Sequence, residues 1–336
     1  MRNRFAAVTG ALALLSLLAL LLPVSLTGQA PASGATAKTF KVSRTPDGVP
    51  DLQGYWTNST VTPLERPKGL GAKEFYTPQE LAEVQKRESD RASQAADGRD
   101  TEPGTDEDVH YDFAQFGLDR GQNSLAWNRR TSIIVGPEGV VPPQIPEARQ
   151  RNANIAAQNR GHEFDGPENR PLSARCVVLS YENIPMLSAG YNNNLQILQG
   201  PGYVAIVHEM NHSVRVIPTD GRAHSPEQVH QFRGESSGHW EGDTLVVDVT
   251  NFSAENPVRG SSDKLHVQER FTRVDKDAIL YQFTVKDPAT WDTPWSGETV
   301  WTTTRGPLYE FGCHEGNYGL ANTLRGARVA EEAARK

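Results

Sequence analysis

His208-Glu209-Met210-Asn211-His212 has the His-Glu-x-x-His spacing of zinc peptidases. On a helix, residues four apart share a face, so both imidazoles reach one zinc while the Glu activates its water. The flanks argue for another element. Tyr203-Val204-Ala205-Ile206-Val207 and Ser213-Val214-Arg215-Val216-Ile217 are dense in β-branched residues, and Pro218 with Asp220-Gly221 closes them. On a strand the two histidines would stand about 13 Å apart, too far to chelate one ion without a sharp bend. A third ligand is also hard to find, because Glu235 sits in a Gly/Ser-rich turn. The strand reading is the stronger one, and zinc on His208 and His212 with Glu209 as base is the alternative.

Read as strands, the same residues offer a different chemistry. Continuous alternation from 203 to 216 puts Val204, Ile206, His208, Met210 and His212 on one face. Tyr203, Ala205, Val207, Glu209, Asn211 and Arg215 then lie on the other. In the stretch 265–273, His266, Gln268 and Arg270 share a face, and Val267, Glu269 and Phe271 the opposite one. A Glu209 or Glu269 pointing into a core would need Arg215 or Arg270 as partner. Paired carboxylate and guanidinium groups in a pocket could bind a polar ligand or carry metal-independent acid–base hydrolysis or elimination. The alternative places these charges in water, in weak surface pairs. Glu209, Arg215, His266, Glu269 and His314 are the candidate catalytic residues, with Arg270, Trp240 and Glu315 as candidate ligand contacts. Trp240 also fits a purely structural role beside the Gly242-Asp243 turn. His314 and Glu315 flank Cys313 and could instead only fix their own loop.

These positions need a scaffold, and the second half of the chain supplies one. Short β-type runs at 195–199, 203–211, 213–217, 238–240, 244–249, 265–274, 278–285 and 298–304 are separated by Gly and Asp turns. The pattern predicts a mainly β fold, an antiparallel meander forming a barrel or sandwich. Helical additions precede it. Thr77, Pro78 and Glu80 form a capping-box signature that opens a helix to about residue 96. A polar surface helix is expected at 146–159, a short strand at 131–135, a mobile acidic loop at 97–108 and a C-terminal helix at 320–336. Residues 38–61 read as an extended arm pinned by Tyr55 and Trp56. The resulting division is 1–37, 38–170 for the arm and helices, 171–319 for the barrel-like domain, and 320–336.

The segment 1–37 reads as a secretory signal peptide. Arg2 and Arg4 precede an apolar run at 11–22, followed by Pro23 and small residues. About a dozen apolar residues fall short of the ~20 that span a bilayer, so no stable membrane anchor is expected after cleavage. The location expected is periplasm or medium. There the two cysteines, Cys176 and Cys313, are expected as one disulfide, the rival being two separate thiols. The net charge of -7 and the lack of a basic run argue against nucleic acid as a partner.

Several segments together resemble a family of secreted bacterial proteins abundant in acidobacteria. They are 46–56 (Pro-Asp-Gly-Val-Pro-Asp-Leu-Gln-Gly-Tyr-Trp), Arg215 with 219–222, 238–248 (Gly-His-Trp-Glu-Gly-Asp-Thr-Leu-Val-Val-Asp), 265–271 and 313–317 (Cys-His-Glu-Gly-Asn). The resemblance covers most of the chain beyond residue 37 and brings no activity with it. It implies that a His at 208 or 212 is not required, which weakens the zinc reading. The functional expectation is an exported protein that binds a small polar or glycan-like ligand in a β-barrel cavity. A zinc hydrolase and a non-enzymatic envelope interaction protein are the alternatives.

Overall fold

The computed structural model describes residues 40–96, 128–136, 138–179, 182–189 and 191–336. The expected signal segment and acidic loop lie outside them. Nine antiparallel strands form one sheet in the order β4-β3-β2-β1-β9-β8-β7-β6-β5. They are β1 (Gly54–Thr57), β2 (Asn194–Gly200), β3 (Tyr203–His208), β4 (Val214–Pro218), β5 (Glu235–Glu241), β6 (Thr244–Thr250), β7 (His266–Asp275), β8 (Ala278–Lys286) and β9 (Trp295–Thr303). The terminal strands β4 and β5 meet without a backbone ladder, so the barrel is nearly closed and has one seam. Side chains bridge it: the Arg215 Nε donates to Ser236 Oγ at 3.0 Å. The expected β fold is therefore the observed one.

The meander follows from the turn chemistry. β5 and β6 are joined by Gly242 and Asp243 alone, and Gly242 supplies the positive φ of 61° that such a tight turn requires. Asp243 pairs with Arg44 rather than with the turn backbone. One strand comes from outside the meander. The arm carries β1, which fills the gap between β2 and β9 and completes the sheet. Trp56 is fully buried there, donating from Nε1 to Leu52 O at 2.9 Å with Arg273 over its ring. The stretch at 131–135 is not a strand. It makes a single bridge, Ile134 to Gly297, and runs beside β9 as a cover.

The barrel interior is filled. Leu245, Val247, Phe271, Ile279, Tyr281, Phe283 and Trp301 project inward, and the connection before β2 inserts Ile184 and Met186 among them. Gly297 makes this possible: a Cβ there would lie 2.3 Å from the Phe283 ring. Gly297→Ala is expected to destabilise the protein by about 1–3 kcal/mol through overpacking. Urea unfolding checks this, and an unchanged midpoint would mean that the Phe283 ring has room to move.

Among the described residues three α-helices lie outside: α1 (Pro78–Ala96), α2 (Pro146–Asn159) and α3 (Tyr318–Ala334). The α1 capping box forms as expected, Thr77 N donating to Glu80 Oε2 at 2.8 Å and Glu80 N to Thr77 Oγ1 at 3.3 Å. Of α2 only Ala148 is buried, in keeping with a surface helix. Cys176 and Cys313 form a disulfide with Cα atoms 5.9 Å apart, joining the approach to β2 with the approach to α3.

Candidate functional site

Alternation on β7 turns Glu269 inward, where it is fully buried, and Arg215 of β4 meets it with a bidentate pair. The Tyr281 hydroxyl donates to Glu269 Oε1 at 2.7 Å and accepts from Met186 N at 2.9 Å. Burial, and then the carboxylate beside it, hold the Tyr281 phenol well above its ordinary pKa. Each of these groups therefore has its partner inside the barrel. Such a fully satisfied network rigidifies and specifies the core.

Arg215 sits on a different face from the one that unbroken alternation assigns. β3 ends at His208, and a short turn over Met210–His212 follows, with Asn211 at φ 57° and His212 at φ 39°. The turn resets the parity, so Arg215 pairs across from Ile206 and shares its inward face. The same turn separates the two histidines. His208 is 3% exposed and faces inward; His212 is exposed and its Nδ1 lies 3.1 Å from Phe311 O. Glu209 is buried between them and its Oε2 accepts from Asn194 Nδ2 at 2.9 Å. The bend that zinc binding would have needed exists, but it turns His212 away from His208. Among the described residues no group of three His, Cys, Asp or Glu side chains could hold a metal ion.

His208 Nε2 has no hydrogen-bond partner among the described residues. Burial lowers its pKa from 6.5 to about 3, with Arg233 and Arg215 adding to the effect. The folded protein keeps this imidazole neutral where the unfolded chain protonates it. Its contribution is therefore fully present above pH 6.5 and lost progressively as the pH falls towards 3. At pH 4.5 the loss is about 2–3 kcal/mol. His208→Gln is expected to flatten the stability profile between pH 6.5 and 4; an unchanged slope there would mean the imidazole is solvated.

The remaining expected residues lie apart from this interior. His266 and Arg270 are on the outer face, paired with Asp248 at 2.9 Å and Glu241 at 2.9 Å. Trp240 is half-buried against the core, and His314 and Glu315 are exposed in the loop before α3. The structure thus unites Arg215 with Glu269 and scatters the others.

The concave feature next to this cluster is a groove of about 680 Å³ along the seam. Arg215, Arg222, Arg233, Ser225, Glu235 and Ser236 supply its polar lining; Val177, Val214, Val216 and Phe232 supply the apolar part. Arg233 is a half-buried member of this lining. NH1 donates to Ser213 Oγ at 2.9 Å, NH2 to Val214 O at 3.4 Å, and buried Glu182 lies 3.7 Å away. Its Nε has no acceptor among the described residues. Burial pulls the Arg233 pKa down; Glu182 opposes that pull and Arg215 adds to it.

Arg222 is exposed and bound to Asp220 through Nε and NH2, which leaves its NH1 available. Among the described residues Glu235 is the one lining carboxylate. Burial works to raise its pKa, but bonds from Ser225 and Asn251, with His224 nearby, outweigh it and hold the group below its usual range. Both Glu235 oxygens are thus already engaged. Glu182 and Arg233 carried no sequence signal, because their meeting depends on two irregular connections far apart in the chain.

Comparison with protein-family models, with curated proteins and with solved structures gave no match.

Proposed function

We propose that this chain is an exported binding protein for a small polar ligand with a negative group, taken up in the seam groove rather than in the barrel interior. The observation that carries the reading is the pair of incompletely used guanidinium groups, Arg222 and Arg233, on one concave surface where Glu235, the lining carboxylate among the described residues, already has both oxygens engaged. The filled core and the closed Arg215–Glu269–Tyr281 network favour binding over acid–base turnover inside the barrel. Export is supported by the charge-then-apolar pattern at 1–37 and by the disulfide. No helix among the described residues is long and apolar enough to cross a membrane.

The test is a thermal-shift panel of carboxylates, phosphate, neutral sugars and amines against the parent and the Arg222→Gln/Arg233→Gln variant. Stabilisation by one or more anions, lost in the variant, is expected. Stabilisation by neutral sugars alone, or by anions equally in both proteins, would overturn the assignment.

A further inference from the structure

The surface leading away from Arg233 is apolar. On the outer face of the sheet, Val216 of β4 pairs with Ala205 of β3, which pairs with Leu198 of β2. Val216 is 57% exposed, Val214 49% and Leu198 42%, although a strand's solvent face is ordinarily polar. Single exposed valines need no explanation, but these form a row that begins at the groove lining and passes over the buried Ala205 at its middle. Three strands spaced about 4.8 Å apart make the row about 10 Å long. Tyr203, 47% exposed, stands beside it on β3. The Cys176–Cys313 disulfide holds Val177 at the other rim, adding apolar surface where the groove begins.

One molecule can match both parts. A guanidinium with an unused N–H in the groove lining calls for an anionic oxygen group, and the row calls for a hydrocarbon body of about 10 Å. Resting on the seam groove being the binding site, we propose that the ligand is a monomeric amphipathic acid. Its carboxylate would sit on Arg233 and Arg222, and its acyl or comparable apolar body along Val214, Val216 and Leu198. The acid is taken as the free molecule, not as the headgroup of a membrane lipid, because the row is short.

The experiment is calorimetric titration of the full chain with acetate, hexanoate and decanoate, all below their micellar concentrations, with decanol and succinate as controls. Affinity is expected to rise about twofold per methylene, the increment of a half-buried chain, with decanoate tightest and decanol at least tenfold weaker. Arg233→Gln is expected to weaken decanoate at least tenfold, and Arg222→Gln, on an exposed side chain that folding does not need, about threefold. Val216→Ser should flatten the dependence on chain length.

If acetate or succinate binds as tightly as decanoate, the amphipathic assignment falls while the anion-binding groove stands. If none of these anions binds, both fall. Equal decanoate binding by parent, Arg222→Gln and Arg233→Gln overturns the assignment, as does flotation with phosphatidylglycerol vesicles without binding of free decanoate.

Discussion

Arg215→Ala is expected to lower the unfolding free energy by about 3–5 kcal/mol, because it strands the Glu269 carboxylate in the barrel interior. Only the Tyr281 hydroxyl would remain to it among its present partners, and one neutral donor does not replace a bidentate guanidinium. Glu269→Gln should act similarly from the other side, leaving Arg215 charged among Met186, Tyr281 and Ser236. The informative comparison is the double variant Arg215→Met/Glu269→Leu. With both charges gone the desolvation penalty goes too, so this protein should recover most of the loss. Equilibrium urea unfolding of the four proteins separates the cases. An Arg215→Ala protein as stable as its parent would mean that the pair is open to water in solution.

The second large effect belongs to the disulfide. Cys176 and Cys313 are 137 residues apart, and closing such a loop stabilises by about 5 kcal/mol in the loop-entropy account. The bond also has a local role. Beside it, Asn317 Nδ2 donates to Ala174 O at 2.9 Å, while its Oδ1 accepts from Leu320 N at 3.3 Å as the cap of α3. Replacing both cysteines by alanine should therefore lower global stability by several kcal/mol and loosen Val177 at the groove rim together with α3. Hydrogen exchange of 174–179 and 317–324 reads the local part. Unchanged protection there, with a lowered unfolding midpoint, would confine the bond to its effect on the unfolded chain.

What could be read from the residues depended on whether their partners were local. The β5–β6 hairpin was visible because Gly242-Asp243 fixes its turn within two residues. The shared face of Val267, Glu269 and Phe271 is legible because β7 alternates without interruption across its first six residues, although alternation alone leaves open whether that face is the inner one. Arg215 was misplaced, since the left-handed Asn211 and His212 reset the count between β3 and β4, and only the folded chain reveals that. β1 was hidden for another reason. Four residues in an arm have no periodicity to detect, and their pairing partners lie more than a hundred residues away.

The candidate site divides in the same way. Alternation and charge single out Glu269 and Arg215, and they do meet, but as a closed internal pair. The same reasoning singles out His266 and Arg270, which lie on the outer face, paired with their strand neighbours Asp248 and Glu241. The groove itself could not be foreseen. It exists because β4 and β5 fail to pair, and Arg233 reaches it from an irregular connection held by Glu182.

A crystal structure of the protein with decanoate measures the central claim most directly. The account predicts the carboxylate within hydrogen-bond distance of the Arg233 guanidinium, the chain along Val216 and Leu198, and the Arg215–Glu269 pair intact. Ligand found inside the barrel, in place of that pair, would contradict it, as would ligand seated on the outer face at His266 and Arg270.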